Sequence, residues 1–211
     1  MAKVVLISGG KLLSSEFDWI DNYVRSNVGK NVLIIPSFSE NDEKWRDIVV
    51  ERSSKNIDLN FELYNFSRNT DFNKFNIIVV TGRYPDLLLE ELLPFKDSLK
   101  KWFENSDNLY FGISSGALVL SEKVVITKDE YYSKSKLIEG LGVIKSSVEV
   151  HYNETLDSEL RKLDLKELYC IEENSALILE RENVLDIYQN VYFMENNAKK
   201  SEQIKLVKEN I

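Results

Sequence analysis

The segment Asn108-Leu-Tyr-Phe-Gly-Ile-Ser-Ser-Gly-Ala-Leu-Val-Leu120 runs from an apolar stretch, through two glycines that bracket a pair of serines, into a second apolar stretch. Leu109–Phe111 has the composition of a buried strand, and Ala117–Leu120 that of a helix packed on a sheet. Between them Gly112, Ser114 and Gly116 form G-x-S-x-G, which predicts a tight strand-to-helix turn with Ser114 at its apex. With eight glycines and 21 serines in the chain, the bare pattern is expected about 0.03 times by chance. An ordinary glycine-rich strand-to-helix turn is the alternative to a nucleophile turn.

Outward from this turn the same alternation repeats. Val4–Ile7, Val32–Ile35 and Ile77–Val80 are short continuous apolar runs, ended by Gly9-Gly10, Pro36 and Thr81-Gly82 respectively. Leu59–Tyr64 alternates apolar and polar residues, as a half-buried strand does. Amphipathic stretches separate the runs, at about 16–28, 43–53, 85–93 and 95–103. Buried strands alternating with helices predict a mainly parallel α/β sheet, whose ligands lie beyond the carboxyl ends of its strands. Thr81-Gly82 and Gly112–Gly116 both fall at that edge. Beyond residue 123 the pattern changes to shorter strands, at 124–127, 148–151, 168–171, 176–179 and 184–187, with one helix at about 156–163. The lysine-rich stretch from Lys199 to Ile211 reads as a solvated helix or tail.

Bulk properties narrow the function classes. The length of 211 residues suits one α/β domain spanning 1–211. A net charge of −8 argues against nucleic acid as a partner. The single cysteine, Cys170, cannot form an internal disulfide, and no apolar run approaches a membrane span or a signal-peptide core. The expected setting is the cytoplasm, with no membrane partner, as a monomer or homodimer. One histidine and one cysteine form no metal-ligand cluster, so neither a metal nor another cofactor is expected.

A serine nucleophile needs a base, and His151 is the sole histidine. It follows the apolar alternation Val148-Glu149-Val150 and therefore stands at a strand end, like Ser114. A third group must orient the imidazole. Asp129, Glu130 and Glu154 are the nearby carboxylates, and Asp129 follows the short strand at 124–127. Tyr152 and Asn153 come directly after the histidine and are candidates for lining a substrate pocket.

These residues resemble the dipeptidase E and cyanophycinase family of serine peptidases. Gly112-Ile-Ser-Ser-Gly-Ala117 is similar to that family's Gly-x-Ser-Ala-Gly-Ala motif, and Val79-Val-Thr-Gly-Arg83 to its strand and Gly-Gly-Asn turn. Thr127-Lys128-Asp129 lies where the family has an acid. Gly140-Leu-Gly-Val143 followed by Val150-His-Tyr-Asn153 resembles its Gly-Leu-Gly and Pro-His-Tyr segments, and Glu172-Glu-Asn-Ser-Ala-Leu177 its late acid-x-x-Ala-Leu strand.

The resemblance implies a three-layer fold like the class I glutamine amidotransferases (flavodoxin-like), with helices on both faces of a mainly parallel sheet. It also implies hydrolysis of small peptides through an acyl-enzyme, in one branch peptides with an N-terminal aspartate. Ser114 would be the nucleophile, His151 the base, Asp129 the orienting acid, and the N–H groups of Gly82 and Ser115 the oxyanion hole. Thr81 and Arg83 depart from the Gly-Gly-Asn turn, and Arg83 would bring a cation to the substrate site, where it could pair with an anionic group. Two other functions fit the same residues: a catalytically silent relative that binds a small ligand, and a serine hydrolase of non-peptide esters or amides. The distance between Ser114 and His151 separates the silent relative from the two enzymes.

Overall fold

The structure is a computed structural model that describes residues 1–26, 29–36, 47–48, 50–51, 59–64, 70–82, 84–129, 131–196 and 202–204. Among the described residues thirteen strands are defined: β1 (Lys3–Ile7), β2 (Asn31–Ile35), β3 (Asn60–Leu63), β4 (Ile77–Val80), β5 (Leu109–Ile113), β6 (Lys123–Ile126), β7 (Lys136–Glu139), β8 (Ser147–Tyr152), β9 (Glu167–Glu172), β10 (Ala176–Glu180), β11 (Asn183–Tyr188), β12 (Val191–Glu195) and β13 (Glu202–Gln203). The α-helices are α1 (Trp19–Ser26), α2 (Pro85–Leu92), α3 (Lys96–Phe103), α4 (Ser115–Leu118) and α5 (Asp157–Leu160).

The central sheet has the order β11-β10-β1-β5-β4-β2-β3. Its five strands from β1 to β3 are mutually parallel, and β10 joins β1 antiparallel. The apolar runs are continuous because both faces of this sheet are covered. Val4, Leu33, Ile78 and Tyr110 enter the core beneath α2 and α3, where Leu88, Leu92, Leu99 and Trp102 are buried. Their chain neighbours Val5, Val32, Ile77 and Leu109 point to the opposite face, against Ile20 and Val24 of α1. Pro85 opens α2 at a position where the missing N–H costs nothing. Trp102 is fully buried and donates its indole N–H to Phe75 O at 2.8 Å, which locks α3 to the segment that leads into β4.

The second half builds a four-stranded sheet, β13-β12-β9-β8, and a β6–β7 hairpin. In the four-stranded sheet β8 and β9 are parallel while β12 runs antiparallel to β9. This is a class I glutamine amidotransferase-like α/β fold. Strands β7, β12 and β13 have no counterpart in the sequence reading: Lys136–Glu139 and Val191–Glu195 are half-buried and mixed in polarity, and take strand form through pairing with β6 and β9. The predicted helix at about 43–53 and the tail from Lys199 lie mostly outside the described residues. No helix among the described residues is long and apolar enough to cross a membrane.

Candidate active site

Ser114 stands between β5 and α4 with φ 55° and ψ −119°, a left-handed conformation that a non-glycine residue holds only when its surroundings impose it. They do so from both sides. Ser114 N–H donates to Ile7 O at 2.9 Å, continuing the β1–β5 ladder, and Ser114 O accepts from Ala117 N–H at 2.8 Å as the helix begins. The hydroxyl is thereby thrown out at the carboxyl edge of the sheet, as the G-x-S-x-G motif predicts.

His151 arrives from a different sheet. The β8–β9 register shifts between Glu149 and Tyr152, and His151 sits within this bulge at φ 54°. Bulges of this kind re-aim a side chain. Its backbone N–H donates to the buried Ser8 Oγ at 2.6 Å, so the end of β1 holds the bulge in place. The ring then brings Nε2 to 3.1 Å from Ser114 Oγ.

The carboxylate on the other ring nitrogen is Glu173, whose Oε2 lies 2.5 Å from His151 Nδ1. The expectation that Asp129 fills this role is corrected. Asp129 Oδ1 accepts the backbone N–H groups of Tyr131 and Tyr132 at 2.7 and 2.8 Å, which shapes its own loop. Glu173 reaches the imidazole because β10 runs antiparallel to β1, so the turn preceding Ala176 falls beside the carboxyl end of β1. Glu172-Glu-Asn-Ser-Ala-Leu177 carried a signal for this residue, but no local pattern reveals which strand lies next to it. Both side chains of the His151–Glu173 pair are half exposed, at 51% each. Gly9 is a further residue that sequence reading missed: a Cβ there would lie 2.7 Å from His151 Cε1 and 2.9 Å from Glu173 Oε1.

Gly82 follows β4 on the other side of β5. A Cβ on Gly82 would stand 2.2 Å from Ser115 N and 2.5 Å from Ser115 Cβ, so only glycine lets the two backbones come so close. Neither the Gly82 nor the Ser115 N–H donates to an acceptor among the described residues. Both flank the serine at one edge of the sheet. Gly82→Ala should cut kcat by about 10²-fold or more by pushing these donors apart, measured against an unchanged far-ultraviolet circular dichroism spectrum.

A cleft of about 270 Å³ opens beside Ser114 and His151. The loop after β6 forms one wall, tied to α2 by Tyr132 Oη donating to Asp86 Oδ1 at 2.7 Å. Asn153 reaches the cleft, although its Oδ1 also accepts from Thr155 N–H at 3.1 Å as a turn cap. Tyr152, expected in the pocket, is instead buried away from it: it packs on Tyr192 and donates to Asp157 Oδ1 at 2.7 Å. The bulge accounts for this: Val148 and Val150 enter the main core, and the register shift after Glu149 moves Tyr152 off their face into the smaller core with Leu168 and Cys170. Arg83 lies outside the described residues. Among the described residues, no group of three or more His, Cys, Asp or Glu is arranged to hold a metal ion.

Glu149 also lines the cleft, and sequence reading had no reason to single it out. It is 3% exposed; Thr127 Oγ1 donates to its Oε1 at 3.0 Å, and Oε2 has no partner. Burial pushes its carboxyl up to about 8 from 4.5, and the charge of Asp129 adds to the rise. The raised value means that the folded protein keeps this proton between pH 4.5 and 8 while the unfolded chain loses it. Stability from this group is therefore complete below pH 4.5 and drains away as pH rises toward 8. The full loss is on the order of 5 kcal/mol. Glu149→Gln has no such proton to lose, so its stability relative to wild type should climb between pH 5 and pH 8 in urea unfolding curves. A difference that stayed flat over that range would show Glu149 to be ionised and solvated.

A strained serine at a strand-to-helix turn, in contact with an imidazole that a carboxylate orients, on the edge of a parallel sheet, is the arrangement of the serine hydrolases. The chain belongs to peptidase family S51, a family of serine-type peptidases, whose sequence model matches residues 4–187. Its fold is similar to the crystal structure of a candidate peptidase E protein from Listeria monocytogenes EGD-e, with a TM-score of 0.62 and 18% identity over 92% of this chain and 98% of the other. No curated protein matches the sequence.

Proposed function

We propose that this serine peptidase cleaves short peptides through an acyl-enzyme, with Ser114 as nucleophile, His151 as general base and Glu173 as the group that orients the base. The observation that carries this is the continuous chain from Ser114 Oγ through His151 Nε2 and Nδ1 to Glu173 Oε2, with contacts of 3.1 and 2.5 Å. Such contact favours chemistry over silent ligand binding, where nothing would keep the hydroxyl and the imidazole together.

His151 takes the Ser114 proton as Oγ attacks the scissile carbonyl. The carbonyl oxygen gains negative charge and turns toward the N–H groups of Gly82 and Ser115. As the tetrahedral intermediate collapses, the imidazolium gives its proton to the departing amine. Water, deprotonated by His151, then releases the acyl group and restores the serine. Throughout, Glu173 holds Nδ1–H, which fixes Nε2 as the basic nitrogen and offsets the positive charge of the ring. The modest cleft favours dipeptides and other short substrates over folded proteins. Turnover of a dipeptide panel, with Ser114→Ala as its control, tests this reading.

A further inference from the structure

We infer that the cleft beside Ser114 is built for a peptide with a basic side chain next to the scissile bond, its ammonium or guanidinium group meeting Glu149 and Asp129. The inference deepens the peptidase reading and rests on it for the reaction, though not for the binding.

Glu149 is the anchor. A buried carboxyl with one oxygen unpartnered is a costly thing to keep in a wall. Oε2 is closed off from solvent, so a cation entering the cleft would draw the carboxyl round toward itself, supply the missing partner and take the group to its charged form, releasing its proton to solvent. Asp129, more exposed on the same wall, uses one oxygen to shape its loop. Among the described residues, neither carboxyl has an ion-pair partner. The other charged groups around Glu149 leave the preference unchanged. Lys128 lines the cleft, yet its charge acts on Glu159; His151 is engaged with Ser114 and Glu173; Cys170 and Asp157 lie behind, toward the small core of the second sheet.

The remaining lining supports the same occupant. Leu118 and Leu156 offer apolar surface for the methylene stem of a lysine or arginine, while the acids lie where its charged end arrives. An aspartate side chain would be repelled by Asp129 and would meet Glu149 only as a neutral acid. A leucine would leave Glu149 Oε2 unpaired.

Both sides of the scissile bond are tested, so Lys-Leu and Leu-Lys are compared with norleucine-leucine, Gln-Leu and Asp-Leu. One of the two lysine peptides should lead the norleucine peptide by about tenfold or more in kcat/KM, as a charge-assisted contact provides. Glu149→Gln should shrink that lead to about threefold or less. Turnover that depends on Ser114 but is as fast for norleucine, glutamine or aspartate peptides would overturn the inference and leave the peptidase reading intact. Calorimetry on Ser114→Ala protein decides the point without turnover: the better lysine peptide should bind about tenfold tighter than its norleucine counterpart and release protons at pH 7. Equal affinities there would overturn the inference by themselves.

Discussion

Replacing Ser114 by alanine should lower kcat/KM on the best dipeptide by about 10⁴-fold or more, while the thermal midpoint moves by no more than about 2 °C. The size follows from losing the nucleophile of a unit whose members act together, so that little is left once one is gone. The small change in stability follows from the geometry. The Ser114 backbone is held by Ile7 O and by the Ala117 amide, and the hydroxyl makes its contact with the half-exposed imidazole and not with the core. Alanine can occupy the same turn with the same strain. A fluorophosphonate should add one phosphonyl group to the wild-type protein at Ser114, found by peptide mass, and none to the variant. Undiminished turnover in Ser114→Ala would end the nucleophile assignment.

Glu173→Gln should lower kcat by about 10²- to 10⁴-fold with KM nearly constant. A neutral amide can present N–H instead of an acceptor to Nδ1, which allows the wrong tautomer, and it no longer offsets the imidazolium charge. The lower part of that range fits a pair that is half exposed, because water partly replaces the lost carboxylate. The KM is insulated because Glu173 sits on the Nδ1 side of the imidazole and is not itself among the residues that line the cleft. Glu173→Asp should recover part of the loss, a graded result that a purely structural residue would not show. The comparison with Asp129→Asn is decisive: if that variant lost as much kcat as Glu173→Gln, Asp129 would take the orienting role after all. Asp129→Asn is instead expected to act on the affinity for basic substrates.

Much of this molecule was legible in one dimension. The paired glycines around Ser114 and the apolar runs at 4–7, 32–35, 77–80 and 109–111 announce a buried parallel sheet with a serine at its edge, because local sterics and two-sided burial write themselves into residue order. The sole histidine was the serine's candidate base by elimination, and Gly82 and Ser115 came from the family resemblance, which placed both donors after strands of the same sheet. Residue order alone could not choose among 35 acidic side chains. That choice belongs to the antiparallel pairing of β10 with β1, which carries Glu173 to the imidazole from 22 residues away, and to the β8 bulge, which turns His151 outward and Tyr152 inward. The same holds for Glu149. Its place in an alternating strand marks it as an ordinary polar position, and only the packing of β6, β8 and β9 around it leaves a carboxyl dry and half-partnered in the wall of the site. Contacts between distant segments depend on which surfaces the folded chain brings together, and no short window of sequence contains that information.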